Sequence, residues 1–306
     1  MKIFRSFEEA RHIKNPVVTT GSFDGVHVGH KIILNRLNML AEKHEGESVL
    51  VTFDPHPRKV LYPDTAGKDL KLINSQEEKL FLLEKAGLNN IIVIEFTREF
   101  SKITSEQFVK DLLHGLLHAR VVVVGFNHHF GFNKEGDYKQ LWEWQGKYDF
   151  EAEEIPEQEV QNETVSSTKI RQAISEGYIQ RANAYLDHYY FIMGKAIRTS
   201  GYNALDLPAV LKIEITEECK LLPSEGIYAV SAESQSESTK AMAIIYRNQA
   251  DKPEVLVDLL EKKNFPINDS INIYFHKKMY GAVSLSEAKS LLKISTAREE
   301  IADLIY

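Results

Sequence analysis

Four short apolar runs, each separated from the next by a helical pattern, constrain the fold of this chain more than any other feature. The runs are PVVTT (16–20), SVLVTF (48–53), NIIVIEF (90–96) and ARVVVVG (119–125). They are rich in β-branched residues and nearly continuous in apolar character, which is typical of strands covered on both faces. Strands and helices that alternate in this way predict an α/β domain built on a doubly wound parallel sheet.

The segments between these runs have helical signals. Lys31–His44 places Ile33, Leu37 and Leu40 on one face. INSQEEKLFLLEKAGL predicts a second helix that ends near Gly87. TSEQFVKDLLHGLL predicts a third, and its Thr104 and Gln107 have the spacing of a capping box.

The loops after three of the strands contain most of the chemically reactive residues. These loops are GSFDGVHVGH (21–30), DPHPRKV (54–60) and GFNHHFGFNKEGD (125–137). Right-handed crossovers bring the loops that follow parallel strands to one edge of the sheet. The sequence therefore predicts a single site at that edge.

The pattern changes after about residue 187. Several short β-rich segments separated by turn residues predict a small antiparallel barrel or sandwich, and the C-terminus is helical. The segments are AVLKIEIT, GIYAVSAES, KAMAIIYRN, PEVLVDLL and SINIYFHK. We therefore expect two domains, residues 1–187 and 188–306.

Composition excludes several classes of function. The chain has 306 residues and a formal net charge of −7, which argues against a general nucleic-acid binder. One cysteine, Cys219, cannot form an internal disulfide, as expected in a reducing compartment. The sequence lacks an apolar signal core and a long apolar run, so we expect a cytoplasmic protein without membrane contact.

The stretch GSFDGVHVGH has the features of an anion site. A glycine-rich turn between a strand and a helix exposes backbone N–H groups, and the helix N-terminus adds positive potential. His27 and His30 can donate hydrogen bonds to phosphate oxygens, so we expect a polyphosphate there and electrostatic stabilisation of a transferred phosphorus. Zinc is disfavoured because no thiolate or HExxH pattern is nearby, and His114 and His118 fit a solvated helix better than a metal site.

Four sequence blocks resemble the HxGH nucleotidylyltransferase superfamily, which has a Rossmann-like fold, and within it the prokaryotic FAD synthetase family. The blocks are TTGSFDGVHVGH, VTFDPHPRKVL, VVVVGFNHHFGFNKEGD and VSSTKIRQAISEGYIQRANAYL. The resemblance covers about Phe4 to Gly194. It implies the reaction of FMN with ATP and Mg²⁺ to give FAD and pyrophosphate. We expect ATP and FMN as small-molecule partners, and neither a protein metal site nor binding to nucleic acid or a membrane.

The resemblance also implies roles for individual residues. His27 and His30 contact the ATP phosphates, and the loop around them is shaped by Gly21, Phe23, Asp24 and Gly29. The block SSTKIR supplies a second phosphate-contacting loop through Ser167, Thr168 and Arg171. Serine and threonine are also good helix N-cap types, and arginine binds phosphate bidentately.

Two blocks correspond to loops on the flavin side. FDPHP contributes Pro55, His56 and Pro57. In GFNHHFGFNKEGD, which contributes Asn127 and Phe130, Asn127 replaces a more usual aspartate. His128 and His129 stand where an aromatic residue and an arginine are more common, and they are either site residues or ordinary surface residues.

The second half departs from the family pattern. The resemblance implies a riboflavin kinase barrel there, but the glycine-rich loop leading into Pro-Thr-Ala-Asn is missing, and only Pro208 and Ala209 remain of it. Glu254 is a candidate for the general base of the kinase. Phosphoryl transfer depends on positioned phosphate and metal contacts, so we expect this half to be inactive or strongly impaired as a kinase.

Three alternatives stay open at this point. The first is a fully bifunctional enzyme whose kinase motifs have diverged. The second is a non-catalytic flavin or nucleotide sensor, and the third is a nucleotidylyltransferase for another acceptor. The sequence leaves the oligomeric state undetermined.

Overall fold

The computed structural model of the chain describes residues 1–157, 159–160, 163–198, 210–234, 237–261, 269–284 and 288–304. The chain divides into two compact units. The first comprises residues 1–70 and 79–165, and the second comprises residues 71–78 and 166–306.

The first unit contains a six-stranded sheet in which every pair of neighbours is parallel. Its strands are β1 (Lys2–Phe4), β2 (Val17–Thr20), β3 (Ser48–Asp54), β4 (Asn90–Glu95), β5 (Val121–Gly125) and β6 (Glu151–Ile155). The spatial order is β1-β4-β3-β2-β5-β6. The chain moves outward in one direction from β2 to β4 and then crosses to β5 on the other side of β2, so the direction of winding reverses between β2 and β5. This is the doubly wound sheet that the sequence predicts.

Apolar side chains cover both faces of this sheet. Val18, Val49 and Val122 point into one buried cluster, whereas their neighbours Val17 and Leu50 point into the other. Successive side chains of a strand point to opposite faces. Near-continuous apolar runs are therefore needed here, because an alternating pattern would bury polar groups on one face.

Helices flank the strands of this unit. They are α1 (Val28–Lys43), α2 (Pro57–Leu61), α3 (Gln76–Lys85, from Lys79 onward in this unit), α4 (Ser105–Gln107) and α5 (Tyr138–Trp144). A short antiparallel pair, β7 (Glu159–Val160) and β8 (Glu163–Thr164), follows β6.

The third predicted helix differs from expectation. Its capping box is present: the Thr104 side chain accepts from the N–H of Gln107, and the Gln107 side chain accepts from the N–H of Thr104. After α4, however, the chain continues as a π-helix over Phe108–His114. Such wide turns change the face that each side chain presents. His114 and His118 are both exposed.

The second unit contains a closed antiparallel barrel, which excludes the alternative of a sandwich. Five of its six strands correspond to the β-rich segments of the sequence, and the strands run in the order β10-β13-β12-β11-β14-β9 around the barrel. They are β9 (Phe191–Arg198), β10 (Val210–Glu214), β11 (Gly226–Glu233), β12 (Ser238–Arg247), β13 (Pro253–Leu259) and β14 (Ser270–Tyr280). The described residues of this unit also form the helices α6 (Ser167–Glu176), α7 (Ile179–Leu186) and α8 (Ala288–Asp303).

A segment from the first third of the sequence belongs to the second unit. The N–H of Leu72 donates to the carbonyl of Cys219 at 2.8 Å, and the buried ammonium group of Lys220 contacts a carboxylate oxygen of Glu78 at 2.5 Å. The sequence gives no local sign of this pairing, because its partners are about 140 residues apart. No helix in the described ranges combines the length and apolar character needed to cross a bilayer.

Candidate active site

The loop between β2 and α1 has the geometry of an anion site. Helix α1 starts at Val28 with His27 as its N-cap, so the N–H groups of its first turn have no intrahelical acceptor. Phe23 and Val26 have φ angles of 49° and 40°. Positive φ is rare for a β-branched residue and costs about 1–3 kcal/mol. Burial of both side chains in the core holds the loop in this conformation.

The two histidines of this loop are stacked. The ring centroids of His27 and His30 lie 3.7 Å apart, and that of Phe23 lies 4.4 Å from His30 on a nearly parallel plane. His27 is buried and His30 is half-buried. The stack fixes the orientation of His30, whose Nδ1 has no hydrogen-bond partner among the described residues.

Burial and the nearby charges of His27 and Lys79 lower the pKa of His30 well below its ordinary value. The ring is therefore neutral at pH 7 in the free protein. A neutral imidazole carries one N–H donor and one acceptor nitrogen.

The point where the winding of the sheet reverses brings two loops together. Thr20 ends β2, and its hydroxyl is hydrogen-bonded to Nε2 of His128 at 3.0 Å. Burial and His129 lower the pKa of His128 to about 4. His128 is thus a half-buried neutral residue of the site, whereas His129 is exposed.

The loop after β3 forms another wall. The peptide bond between Asp54 and Pro55 is cis. Nδ1 of His56 accepts from the N–H of Arg58 at 3.2 Å, so His56 caps the short helix α2, which starts at Pro57.

The loop after β5 is closed by backbone hydrogen bonds between Phe130 and Gly136, at 3.0 and 2.9 Å. Gly131 has a φ of 75°, and a Cβ added there would lie 2.5 Å from the backbone nitrogen of Ser105. Only glycine fits at this position, so the conformation of the loop after β5 depends on Gly131.

These loops line one cavity of about 970 Å³ within the first unit. Its lining includes the histidine loop and a group of aromatic residues. Its lining contains the charged residues Arg58, Lys134 and Glu157 and also five histidines, of which His30 and His128 are neutral. Although the chain is acidic as a whole, this cavity is locally suited to an anionic ligand.

Many of the residues predicted for the site line this cavity. They are Gly21, Phe23, His27, Gly29, His30, His56, Pro57, Asn127 and Phe130. Asp24 is buried within the loop, and Pro55 precedes the cavity wall. Ser167, Thr168 and Arg171 lie in the second unit, in the first turns of α6, where the Ser166 side chain accepts from the N–H of Lys169.

Several aromatic lining residues were not identified from the sequence. They are Tyr62, Phe96, Phe100, Phe126 and Phe132. Phe96 and Phe100 lie in the segment that follows β4, at the same edge of the sheet as the other loops. The rule that pointed to those three loops therefore also indicates this fourth one.

The candidate general base of the barrel is held by three donors. A carboxylate oxygen of Glu254 lies 2.8 Å from Nζ of Lys212, and Tyr246 and Asn248 donate at 2.5 and 2.8 Å. Burial acts to raise the pKa of Glu254, but these hydrogen bonds outweigh it and lower the pKa to about 2. The remnant of the kinase motif, Pro208 and Ala209, lies outside the described residues.

Within the described ranges, no group of three or more histidine, cysteine or acidic side chains is arranged to hold a metal ion. A triphosphate itself supplies the oxygen ligands that Mg²⁺ prefers.

Comparison with known proteins agrees with this architecture. A family model described as FAD synthetase matches residues 9–169, more than half of the chain. A bifunctional riboflavin kinase/FMN adenylyltransferase from Listeria monocytogenes is 31% identical over 277 residues, covering 87% of this chain and 81% of the relative. A protein of the same description from Bacillus subtilis is 28% identical, and the match covers 90% of this chain and 87% of the Bacillus protein.

The crystal structure of a macrolide-efflux protein from Streptococcus pneumoniae has a TM-score of 0.87 and covers 99% of both chains at 22% identity. At that identity the likeness shows a shared fold and carries no statement about activity. The family model and the identity to the Listeria protein together decide the family: this chain belongs to the FAD synthetase family.

Proposed function

We propose that this chain transfers AMP from ATP to FMN, forming FAD and releasing pyrophosphate. A phosphate oxygen of FMN forms a bond to the α-phosphorus of ATP, while the bond between that phosphorus and the bridging oxygen to the β-phosphorus breaks. The attacking oxygen is already anionic, so the reaction requires positioning and charge stabilisation rather than a general base. The observation that carries the proposal is one cavity lined both by the loop at the N-terminus of α1 and by several aromatic residues.

In this proposal His27 and His30 donate hydrogen bonds to the phosphate oxygens of ATP. Gly21, Phe23, Asp24 and Gly29 shape the loop that presents them. The negative charge of the triphosphate raises the pKa of His30, which is low in the free protein, and so favours its protonation when ATP is bound. Positive charge is then available as the pyrophosphate leaves.

The aromatic lining residues of the cavity are assigned to the flavin ring. Phe130 lies 6.0 Å from Phe108, ring to ring, and both line the cavity. Flat aromatic surfaces favour stacking with a planar ring system. The proposal keeps Pro55, His56, Pro57 and Asn127 as flavin-side residues.

Ser167, Thr168 and Arg171 are proposed as further contacts to ATP phosphates, and this role rests on the family resemblance. Mg²⁺ enters as the complex with ATP. Because arginine binds phosphate through two N–H groups, Arg171→Lys is expected to retain charge but lose much of the activity.

We assign adenylyl transfer to residues 1–187 and propose that the barrel, residues 188–306, is strongly impaired as a riboflavin kinase. A carboxylate with a pKa of about 2 is a weak general base at neutral pH, and Glu254 is already held by three donors. The description of the relatives as bifunctional favours a second candidate, in which the barrel also phosphorylates riboflavin.

The adenylyl transfer is tested with FMN and ATP·Mg²⁺ labelled at the α-phosphorus. The expected products are labelled FAD and an equal amount of unlabelled pyrophosphate. Labelled inorganic phosphate, or binding of FMN and ATP without any FAD, would overturn the assignment and favour a hydrolase or a sensor. Other mononucleotides offered in place of FMN test the remaining alternative acceptors.

A further inference from the structure

A buried lysine lies beneath the histidine loop and is not used in the reaction described above. Lys79, on α3, is only 8% exposed. Its ammonium nitrogen lies 3.4 Å from the hydroxyl oxygen of Thr52, which is completely buried in β3. That hydroxyl in turn donates to the carbonyl of Ser22 at 3.4 Å.

These two contacts connect Lys79 to the cavity wall, although Lys79 itself does not line the cavity. Ser22 lies in the loop and lines the cavity, whereas Thr52 and Lys79 lie behind it. Burying an ammonium group costs much more free energy than burying an apolar side chain of similar length. A charge kept in this position is therefore expected to act on a nearby group.

The electrostatic effect of Lys79 reaches His30. The titratable groups whose charges act on His30 are His27, from the same loop, and Lys79, from α3. Both act in the same direction as burial and lower its pKa. Lys79 thus favours a neutral His30 in the free protein.

We propose that Lys79 is a positioning residue of the adenylyl-transfer site, which supports the Ser22 end of the histidine loop through Thr52 and adds positive potential where the ATP phosphates bind. This inference rests on the proposed function. According to this inference, Lys79 supplies part of the affinity for ATP, and the lining histidines supply the rest.

Lys79→Met tests the inference because it keeps much of the apolar stem and removes the charge. We expect the KM for ATP to rise roughly tenfold, as for loss of one charge acting through a partly polar medium. The KM for FMN should change less than twofold. Lys79→Arg should restore most of the affinity for ATP, and Lys85→Met, an exposed lysine on the same helix, is the matched control.

A second measurement does not depend on turnover. The pKa of His30 is followed by NMR of the histidine rings in the free protein, with His30→Gln used to assign its signal. Removing the charge at position 79 should raise that pKa, and Lys79→Gln provides the same test if the methionine variant does not fold. A pKa unchanged in the folded neutral variants would overturn the electrostatic role.

The two proposals fail in different ways. If the wild-type protein makes no FAD, the proposed function is wrong, whatever Lys79 does. If the wild type makes FAD and Lys79→Met keeps the wild-type KM for ATP, Lys79 is a structural residue and the inference is wrong. The inference is also wrong if Lys79→Met is folded and has a raised KM for ATP, but Lys79→Arg has an equally raised KM.

Discussion

His30 and Glu254 are the candidate reactive side chains of the two units, and their surroundings differ. His30 is oriented by stacked rings, which leave Nδ1 without a hydrogen-bond partner among the described residues. The carboxylate of Glu254 accepts from three donors that belong to the protein. The difference teaches that a titratable residue at a motif position is available for chemistry only if the fold leaves its polar atoms able to meet a substrate.

The largest effect is expected at the histidine loop. His30→Ala should lower the rate of FAD formation about a hundredfold, as for the loss of one donor that stabilises a transition state. The rate is measured with saturating FMN and ATP·Mg²⁺. His114→Ala, which removes an exposed histidine elsewhere in the unit, is the control and should leave the rate unchanged. Equal rates for His30→Ala and the control would show that His30 does not contribute to FAD formation and would contradict the comparison with Glu254.

Glu254→Gln should lower the stability of the protein but leave the rate of FAD formation nearly unchanged. The charged pairing with Lys212 is lost, so the free energy of unfolding should fall by about 1.5–3 kcal/mol at pH 7. FAD formation should stay within twofold of the wild type. Denaturant unfolding and the FAD assay measure the two quantities, and a large loss of FAD formation in folded protein would mean that Glu254 is not merely structural.

The two units should also respond to different ranges of pH. His128 has a folded-state pKa of about 4, so the unfolded chain binds more protons below pH 6.5 and acid destabilises the fold between pH 6.5 and 4. Glu254, with a folded-state pKa of about 2, contributes stability above pH 4.5 that is lost as the pH falls towards 2.

Difference measurements separate these contributions from other titrating groups, which include His276 in the barrel. The stability difference between wild type and His128→Gln should change by about 1–2 kcal/mol from pH 7 to pH 5. The difference between wild type and Glu254→Gln should stay nearly constant over that range. If the stability differences of the two variants from wild type changed equally with pH, the two units would not differ in their response to pH.

The smallest effect is expected away from both sites. Thr104→Ala removes one half of the capping box at α4 and should cost about 1 kcal/mol of stability. FAD formation should be unchanged. Thermal unfolding measures the cost, and a loss of activity in the folded variant would show that the following π-helix also influences the site.

The sequence predicts the sheet well because its signals are local. Apolar runs such as SVLVTF mark strands covered on both faces, and the glycine-rich loop marks the start of α1. The same reasoning missed the edge strands β1 and β6: Lys2–Phe4 is too short, and Glu151–Ile155 is too acidic, to resemble a buried strand.

The remaining features depend on contacts between distant parts of the chain. The pairing of Lys220 with Glu78 and the effect of Lys79 on His30 have no local pattern in the sequence. His128 is another example, because its sequence context allows a surface residue. Its hydrogen bond to Thr20 depends on the strand order that places β5 beside β2.

The central claim is that residues 1–187 transfer adenylyl groups while the barrel, residues 188–306, is impaired as a kinase. The most direct test offers riboflavin and FMN separately to the purified protein, each with ATP·Mg²⁺, and identifies the products by chromatography. We expect FAD from FMN and little or no FMN or FAD from riboflavin. Rapid formation of FMN from riboflavin would contradict the account of the barrel, and absence of FAD from FMN would contradict the account of the histidine loop.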